Sequence, residues 1–121
     1  MLTSTTLLNQ TAIGTGTGSK AYLGRMPTWI FQAEVVKAAA NLTLKFQATS
    51  DDPDDIAANW ADIECTRRDT QTVATTQTFT ATGTYEIEVE TYDTRAVRPV
   101  GTVAGAGDSI LIKSALPQAG V

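Results

Sequence analysis

Two stretches of the chain alternate between apolar and polar residues. In LTLKFQATS (42–50) every second residue is apolar as far as Ala48, and TYEIEVE (84–90) repeats the pattern with glutamates at the polar positions. Because successive side chains of a strand point to opposite faces, each stretch predicts a half-buried strand with one face in water. The apolar positions are Leu42, Leu44, Phe46, Ala48, Tyr85, Ile87 and Val89.

Three further stretches also predict strands. DSILIKSAL (108–116) follows a glycine-rich AGAG turn, and the threonine-rich run 75–82 alternates around Phe79. RAVRPVGTV (95–103) contains the β-branched residues that strands favour, but Pro99 has no N–H to donate to a neighbouring strand. We therefore expect Pro99 to mark an edge or a bulge.

The segment TWIFQAEVVKAAANL (28–42) fits two templates. Its apolar residues share one strand face at every second position, and a subset of them also lines one face of a helix. The aromatic and β-branched start, and the strand that follows, favour a strand from Thr28 to Val36. We predict that a turn at AAAN (38–41) joins it to the next strand as a hairpin.

The start of the chain has few apolar side chains to bury. TAIGTGTGSK (11–20) is rich in glycine and predicts a flexible turn, so residues 1–20 are expected to form an extended arm or a short edge strand. The core is expected within residues 28–116. About seven or eight short antiparallel strands without a long helix indicate an all-β fold, a β-sandwich or jelly roll, in a single domain over 1–121.

The composition narrows the classes of partner. A chain of 121 residues is long enough for one domain with a core, and its net charge of -4 provides no basic patch for nucleic acid. No apolar run approaches the ~20 residues that cross a bilayer, and the first ten residues lack the pattern of an export signal. We expect neither a nucleic acid partner nor a membrane span. Cys65 is the sole cysteine and cannot form an internal disulfide.

The acidic run SDDPDDIAANW (50–60) raises the question of a metal or catalytic site. Calcium prefers six to eight oxygen ligands, but these aspartates come as adjacent pairs split by Pro53, without the glycine and distal glutamate of an EF-hand loop. A glycosidase needs two carboxyl groups in a cleft, about 5 to 10 Å apart. We predict a solvated turn and no metal site; the four aspartates are Asp51, Asp52, Asp54 and Asp55.

The sequence gives little support to other combinations of residues that could form a catalytic or ligand-binding site. The chain has no histidine, and Cys65 has only Arg67 and Arg68 nearby as possible activating partners, so we expect a buried or half-buried thiol. The glycine spacing of GTGTGSKA lacks the preceding strand and following helix of a dinucleotide-binding loop. Trp29 and Trp60 could stack on sugars, although large aromatics in a small sandwich more often belong to the core. We predict no enzymatic activity, no catalytic residue and no cofactor.

Several short motifs together resemble small β-sandwich proteins encoded among the virion structural genes of tailed bacteriophages and prophages. The motifs are GTGTG, YLG, LKFQATSDD, W-x-D-I at Trp60–Ile63, TYEIEV and TRAVR, and the likeness extends from Thr11 to Leu116. The chain departs from the family pattern in two places. PDDIAAN replaces a tight Asp-Gly turn, which predicts a lengthened hairpin loop before Trp60, and Ala96 replaces a tyrosine.

The resemblance implies a role in the virion. Such proteins decorate capsids as cement proteins, commonly as trimers, and some are tail or fibre components. On this resemblance we expect a capsid decoration protein, located on the virion surface, that forms a homotrimer and binds the major capsid protein. The residues expected at the capsid or oligomer interface are Leu2, Leu7, Leu8 and Ile13.

Two alternatives stay open. The S-D-D…W-x-D-I hairpin also resembles discoidin-like and other galactose-binding jelly rolls, whose loops hold sugars or lipid headgroups, sometimes with a structural calcium. Glycan binding that depends on Trp60 would favour this alternative, and a fully buried Trp60 would weaken it. A tail-tube or adaptor protein would form rings or hexamers in place of trimers.

Overall fold

The computed structural model describes residues 5–22, 28–90 and 94–114. These residues form strands in two antiparallel sheets, so the predicted all-β sandwich is confirmed. The strands outnumber the expected seven or eight because several span only two to four residues. Over the same ranges, no helix is long and apolar enough to cross a membrane. The strands are β1 (Thr5–Gln10), β2 (Gly14–Thr17), β3 (Ala21–Tyr22), β4 (Thr28–Val36), β5 (Leu42–Thr49), β6 (Ala61–Ile63), β7 (Cys65–Arg67), β8 (Thr72–Ala74), β9 (Thr76–Phe79), β10 (Gly83–Glu90), β11 (Ala96–Val103) and β12 (Ser109–Ser114).

The two sheets face each other across a shared core. The first sheet has the order β1-β12-β4-β10-β7-β8, and the second has the order β2-β11-β5-β6, with β3 also paired to β11 and β9 to β5. Phe31 of the first sheet packs against Phe46 of the second, with ring centroids 4.8 Å apart. Both side chains are fully buried, and burial of a side chain of this size contributes about 1.5–3 kcal/mol.

The predicted strands between Thr28 and Ser114 are confirmed, but one predicted pairing is wrong. The core-facing residues of β4 are the ones that the period-two pattern selects, including Trp29 and Phe31. However, β4 belongs to the first sheet and β5 to the second, so residues 37–41 cross between the sheets instead of closing a hairpin. The AAAN turn therefore exists, but it connects two layers.

Asp108 holds this connection in place. Its side chain is 1% exposed and accepts hydrogen bonds from the amides of Ala38, Ala39 and Ala40, at distances from 2.5 to 2.9 Å. These backbone hydrogen bonds hold the pKa of the Asp108 carboxyl below its usual value, against the opposing effect of desolvation. The segment 37–41 is thus fixed by a residue about seventy positions later in the chain.

Pro99 lies inside the second sheet at a break in its neighbouring strand. On one side β11 is paired continuously with β5, and on the other side it pairs first with β3 and then with β2. Between these two strands, Gly18 donates its amide to the Pro99 carbonyl at 2.8 Å. Since N and O of one strand residue point to the same side, the missing N–H of Pro99 faces this interruption. Pro99 therefore lies in an internal strand at neither an edge nor a bulge, so that prediction is wrong: the gap between β2 and β3 accommodates the missing donor.

The start of the described chain is an edge strand, which was one of the two structures expected for residues 1–20. β1 pairs with β12, and its register shifts between Thr6 and Leu8, so that Leu7 is an extra residue in a β-bulge. The glycine-rich segment that follows is not a flexible turn, because Gly14–Thr17 forms β2 against β11. A Cβ atom at Gly18 would lie 2.6 Å from the Leu7 carbonyl oxygen, so this close crossing requires glycine.

Candidate functional site

The structure separates the four residues that were predicted to make interface contacts. Leu7 and Leu8 are each only 7% exposed and belong to the core, because the β-bulge turns both consecutive side chains inward. Their predicted role as exposed contacts is therefore corrected. Ile13 is 65% exposed in the connection between β1 and β2, and Leu2 lies outside the described residues. Ile13 is the member of the predicted set that remains accessible in the part of the chain described.

Ile13 lies at one end of the sandwich, which we call the alanine-rich end: residues 11–13, 37–41, 80–82 and 104–108. Strand register places these connections together, since Gln10 pairs with Ile110, Gly14 with Val103 and Gly83 with Val35. The Lys37 amide also donates to the Thr82 hydroxyl at 2.9 Å.

The alanine-rich end carries very little charge. Within its four connections, the ionisable side chains are Lys37 and the buried Asp108. Val36, at the adjoining end of β4, is 46% exposed, and Ile13 adds a second exposed aliphatic side chain. Small uncharged residues around exposed aliphatic groups are compatible with the core of a protein–protein interface, where charged residues are depleted.

The acidic loop 50–60 lies at the opposite end, because Thr49 pairs with Ala96 at the start of β11. β5 and β6 pair around this loop, as predicted for a lengthened hairpin. Most of its carboxylates accept hydrogen bonds from backbone amides of the same loop. The Asp51 side chain accepts from the Asn59 amide at 2.8 Å, that of Asp52 from the Asp54 amide at 3.0 Å, and that of Asp55 from the Ala57 amide at 2.9 Å.

A lysine from the β2–β3 connection also binds this loop. Lys20 Nζ donates to the Pro53 carbonyl at 2.6 Å and forms an ion pair with Asp54 at 3.4 Å. Among the residues that the structure describes, no group of three His, Cys, Asp or Glu side chains is arranged to hold a metal ion. The aspartates act here as acceptors that shape a long turn, through short-range bonds typical of Asx turns.

Trp60 belongs to a polar network on the outer face of the second sheet. The Arg98 guanidinium lies 4.2 Å from the centroid of the Trp60 ring, and Arg98 Nε donates to Gln47 Oε1 at 3.0 Å. Gln47 and Lys45 in turn donate to the two oxygens of Asp62, at 3.1 and 3.2 Å, and these bonds lower the pKa of Asp62. Trp60 is half-buried, whereas Trp29 belongs to the core.

Cys65 is a buried residue at the start of β7, and it pairs with Ala74 at the end of β8. It is 1% exposed, and its thiol donates to the Ala74 carbonyl at 3.4 Å. Desolvation raises the pKa of the thiol to about 11. The nearby arginines are engaged elsewhere, since Arg67 pairs with Asp69 and Arg68 with Glu86. The predicted buried thiol is confirmed, with no cationic group activating it.

The comparisons with known proteins concern the fold. The chain matches no protein-family model and no curated protein. It is similar to the crystal structure of the SPBc2 prophage-derived protein YomS, with a TM-score of 0.63 and 13% sequence identity. The similarity covers 95% of this chain and 92% of that chain. At this identity the likeness shows a shared fold, and a fold alone does not assign a function.

The alanine-rich end was not identified from the sequence. Its residues are dispersed over four connections, and each connection alone is a short stretch of small residues without a motif. Only the strand register brings them together. The available signal was Ile13, an isolated aliphatic residue between polar and glycine-rich neighbours.

Proposed function

We propose that the protein is a structural component of a bacteriophage virion, acting as a capsid decoration protein. The observation that carries this proposal is the fold that the chain shares, over 95% of its length, with a prophage-derived protein. The sequence motifs that resemble small virion β-sandwich proteins support the same origin. In this role the protein is not an enzyme, and it is located on the outer surface of the capsid.

The alanine-rich end is the proposed contact with the major capsid protein. Its low charge keeps the desolvation cost of an interface small, and Ile13 and Val36 provide apolar area for burial. A homotrimer at a local three-fold position would present three such ends to the lattice, so that weak individual contacts combine into stable attachment.

The test uses empty capsids of the phage or prophage that encodes the chain, assembled without it. Co-sedimentation with the purified protein should show saturable binding, and Ile13→Asp should weaken binding about tenfold, as for a central interface residue. The matched control is Ile56→Asp, since Ile56 is fully exposed but lies in the loop at the opposite end. It should bind within about twofold of the parent.

The outcomes separate the parts of the proposal. Absence of any binding by the parent protein contradicts the decoration role. Equal losses for both variants contradict the assignment of the alanine-rich end. The mass of the purified protein in solution tests the trimer, and a ring or hexamer would favour a tail-tube or adaptor protein.

A carbohydrate-binding function is the second candidate, favoured by one observation. Trp60 is half-buried on an outer sheet face and not fully buried, so part of its ring is open to a ligand. Its polar neighbours, however, already bind one another. Glycan binding by the parent protein that is lost in Trp60→Ala would support this function, and the same binding in both proteins would contradict it.

A further inference from the structure

The outer face of the first sheet contains a groove that the proposed contact at the alanine-rich end does not use. It has a volume of about 370 Å³ and lies over β10, β7 and β8. One wall is acidic and another is apolar, with Val73 57% exposed in the three-residue edge strand β8. The lining includes Ile63, Glu64, Thr66, Val73, Glu88 and Glu90.

Strand register places three of these side chains in one row across the sheet. Thr66 faces Glu88 on one side and Val73 on the other. The ladder of β7 and β10 ends at Cys65 with Val89. Glu64 directly precedes β7 and Glu90 ends β10, and both line the same groove as this row.

The groove carboxylates differ in their ion pairing from two other glutamates on the same face of the sheet. Glu34 pairs with Lys113 at 3.3 Å, and Glu86 pairs with Arg68 at 2.9 Å. Glu64, Glu88 and Glu90 have no cationic partner among residues 5–22, 28–90 and 94–114. The groove therefore carries three negative charges beside an exposed valine, and a cation placed there would offset these like charges.

We infer that this groove binds an extended basic segment of a partner protein, with lysine or arginine at alternate positions and one aliphatic residue against Val73. Alternate side chains of an extended segment are about 7 Å apart. This spacing matches that of Glu88 and Glu90, which point outward from positions two apart on β10. The negative charge disfavours nucleic acid and anionic membranes.

A second copy of this chain is a poor occupant. Five of its cations are held in ion pairs within the described residues: Lys20, Lys45, Arg67, Arg68 and Lys113. The copy would also bring the same net charge of -4. The inference concerns the chemistry of this face and does not rest on the virion role.

The test titrates the protein with a capped octapeptide in which lysine and threonine alternate and one lysine is replaced by valine. Binding is measured by fluorescence anisotropy and mapped by NMR shifts of backbone amides. The double variant Glu88→Gln/Glu90→Gln should weaken binding at least tenfold. The control double variant Glu34→Gln/Glu86→Gln makes the same charge change on the same face and should weaken it less than threefold. Amide shifts should cluster at Ile63, Thr66 and Val73.

Three results would overturn the inference. The first is no measurable binding at millimolar peptide, or equal binding of a peptide with glutamate in place of lysine. The second is an equal loss in both double variants, which would indicate general charge attraction. The third is a set of amide shifts centred on the acidic loop 50–60. None of these results depends on capsid binding, so failure here is distinguishable from failure of the proposed function.

Discussion

The carbonyl oxygen of Leu7 accepts a hydrogen bond from the amide of Ser19 at 2.7 Å, which joins the first strand of one sheet to a segment of the other. This carbonyl belongs to the bulged residue of β1 and is therefore directed away from the ladder with β12. The same bulge turns the Leu7 and Leu8 side chains into the core. β1 is thus part of the folded unit and not a detachable arm.

Loss of β1 should therefore unfold the protein. Deletion of residues 1–10 exposes the hydrogen-bonding edge of β12 and removes two buried leucines, so we expect an aggregated or largely unfolded product by circular dichroism. The milder variant Leu8→Ala should lower the free energy of unfolding by about 2–5 kcal/mol. A folded, cooperative truncation product would contradict the structural role of β1.

Asp108 should make stability sensitive to acid. Its pKa is lowered in the folded state, so the unfolded chain binds the proton more tightly. The stability it contributes is complete above the unfolded value of about 3.9 and is lost as the pH falls through the folded value. Asp108→Asn should lower Tm by several degrees at pH 7 and reduce this acid dependence. Asp55→Asn, in the exposed loop, is the control and should change neither quantity appreciably.

The Cys65 thiol should be unreactive in the native protein. With a pKa of about 11 and 1% exposure, it stays protonated and shielded at pH 8, so a disulfide reagent should label it only after unfolding in denaturant. Because the folded state holds this proton more tightly, stability should decrease as the pH rises from about 8.5 towards 11. Rapid stoichiometric labelling of the native protein at pH 8 would contradict this prediction.

Glu64→Gln should stabilise the protein. It removes one of the three unpaired carboxylates that line the groove, and like charges close together are destabilising. Thermal melts at low ionic strength should show a higher Tm than the parent, and added salt should narrow the difference. Glu86→Gln serves as the comparison, because it removes the partner of Arg68 and should leave Tm unchanged or lower it. A lower Tm for Glu64→Gln would contradict repulsion among the groove carboxylates.

The sequence predicted those strands in which the apolar positions of the alternating pattern are also the positions that the structure buries. β5 and β10 alternate strictly, so their core faces follow from the period of two. The bulge at Leu7 was not predictable, since two adjacent leucines break that period. The predicted hairpin of β4 and β5 is wrong for a different reason: β4 pairs with β10 and β12 and β5 pairs with β11, and alternation within a strand does not indicate its neighbours.

The candidate surfaces were harder to predict from the sequence than the strands. The acidic loop was predicted as a turn because paired aspartates and a proline have local consequences. The alanine-rich end and the acidic groove depend on which strands are neighbours. Glu64 and Glu90 are 26 positions apart, and no local pattern indicates that they line the same groove.

The pairing of β1 with β12 also constrains biosynthesis. Thr5 faces Ser114, so the first strand has no partner in its sheet until the last strand has emerged from the ribosome. Such distant pairing makes folding slow relative to folds built from local contacts. Until β12 has been synthesised, the leucines of β1 stay exposed on the nascent chain, which makes this strand a target for a chaperone that acts on the growing polypeptide.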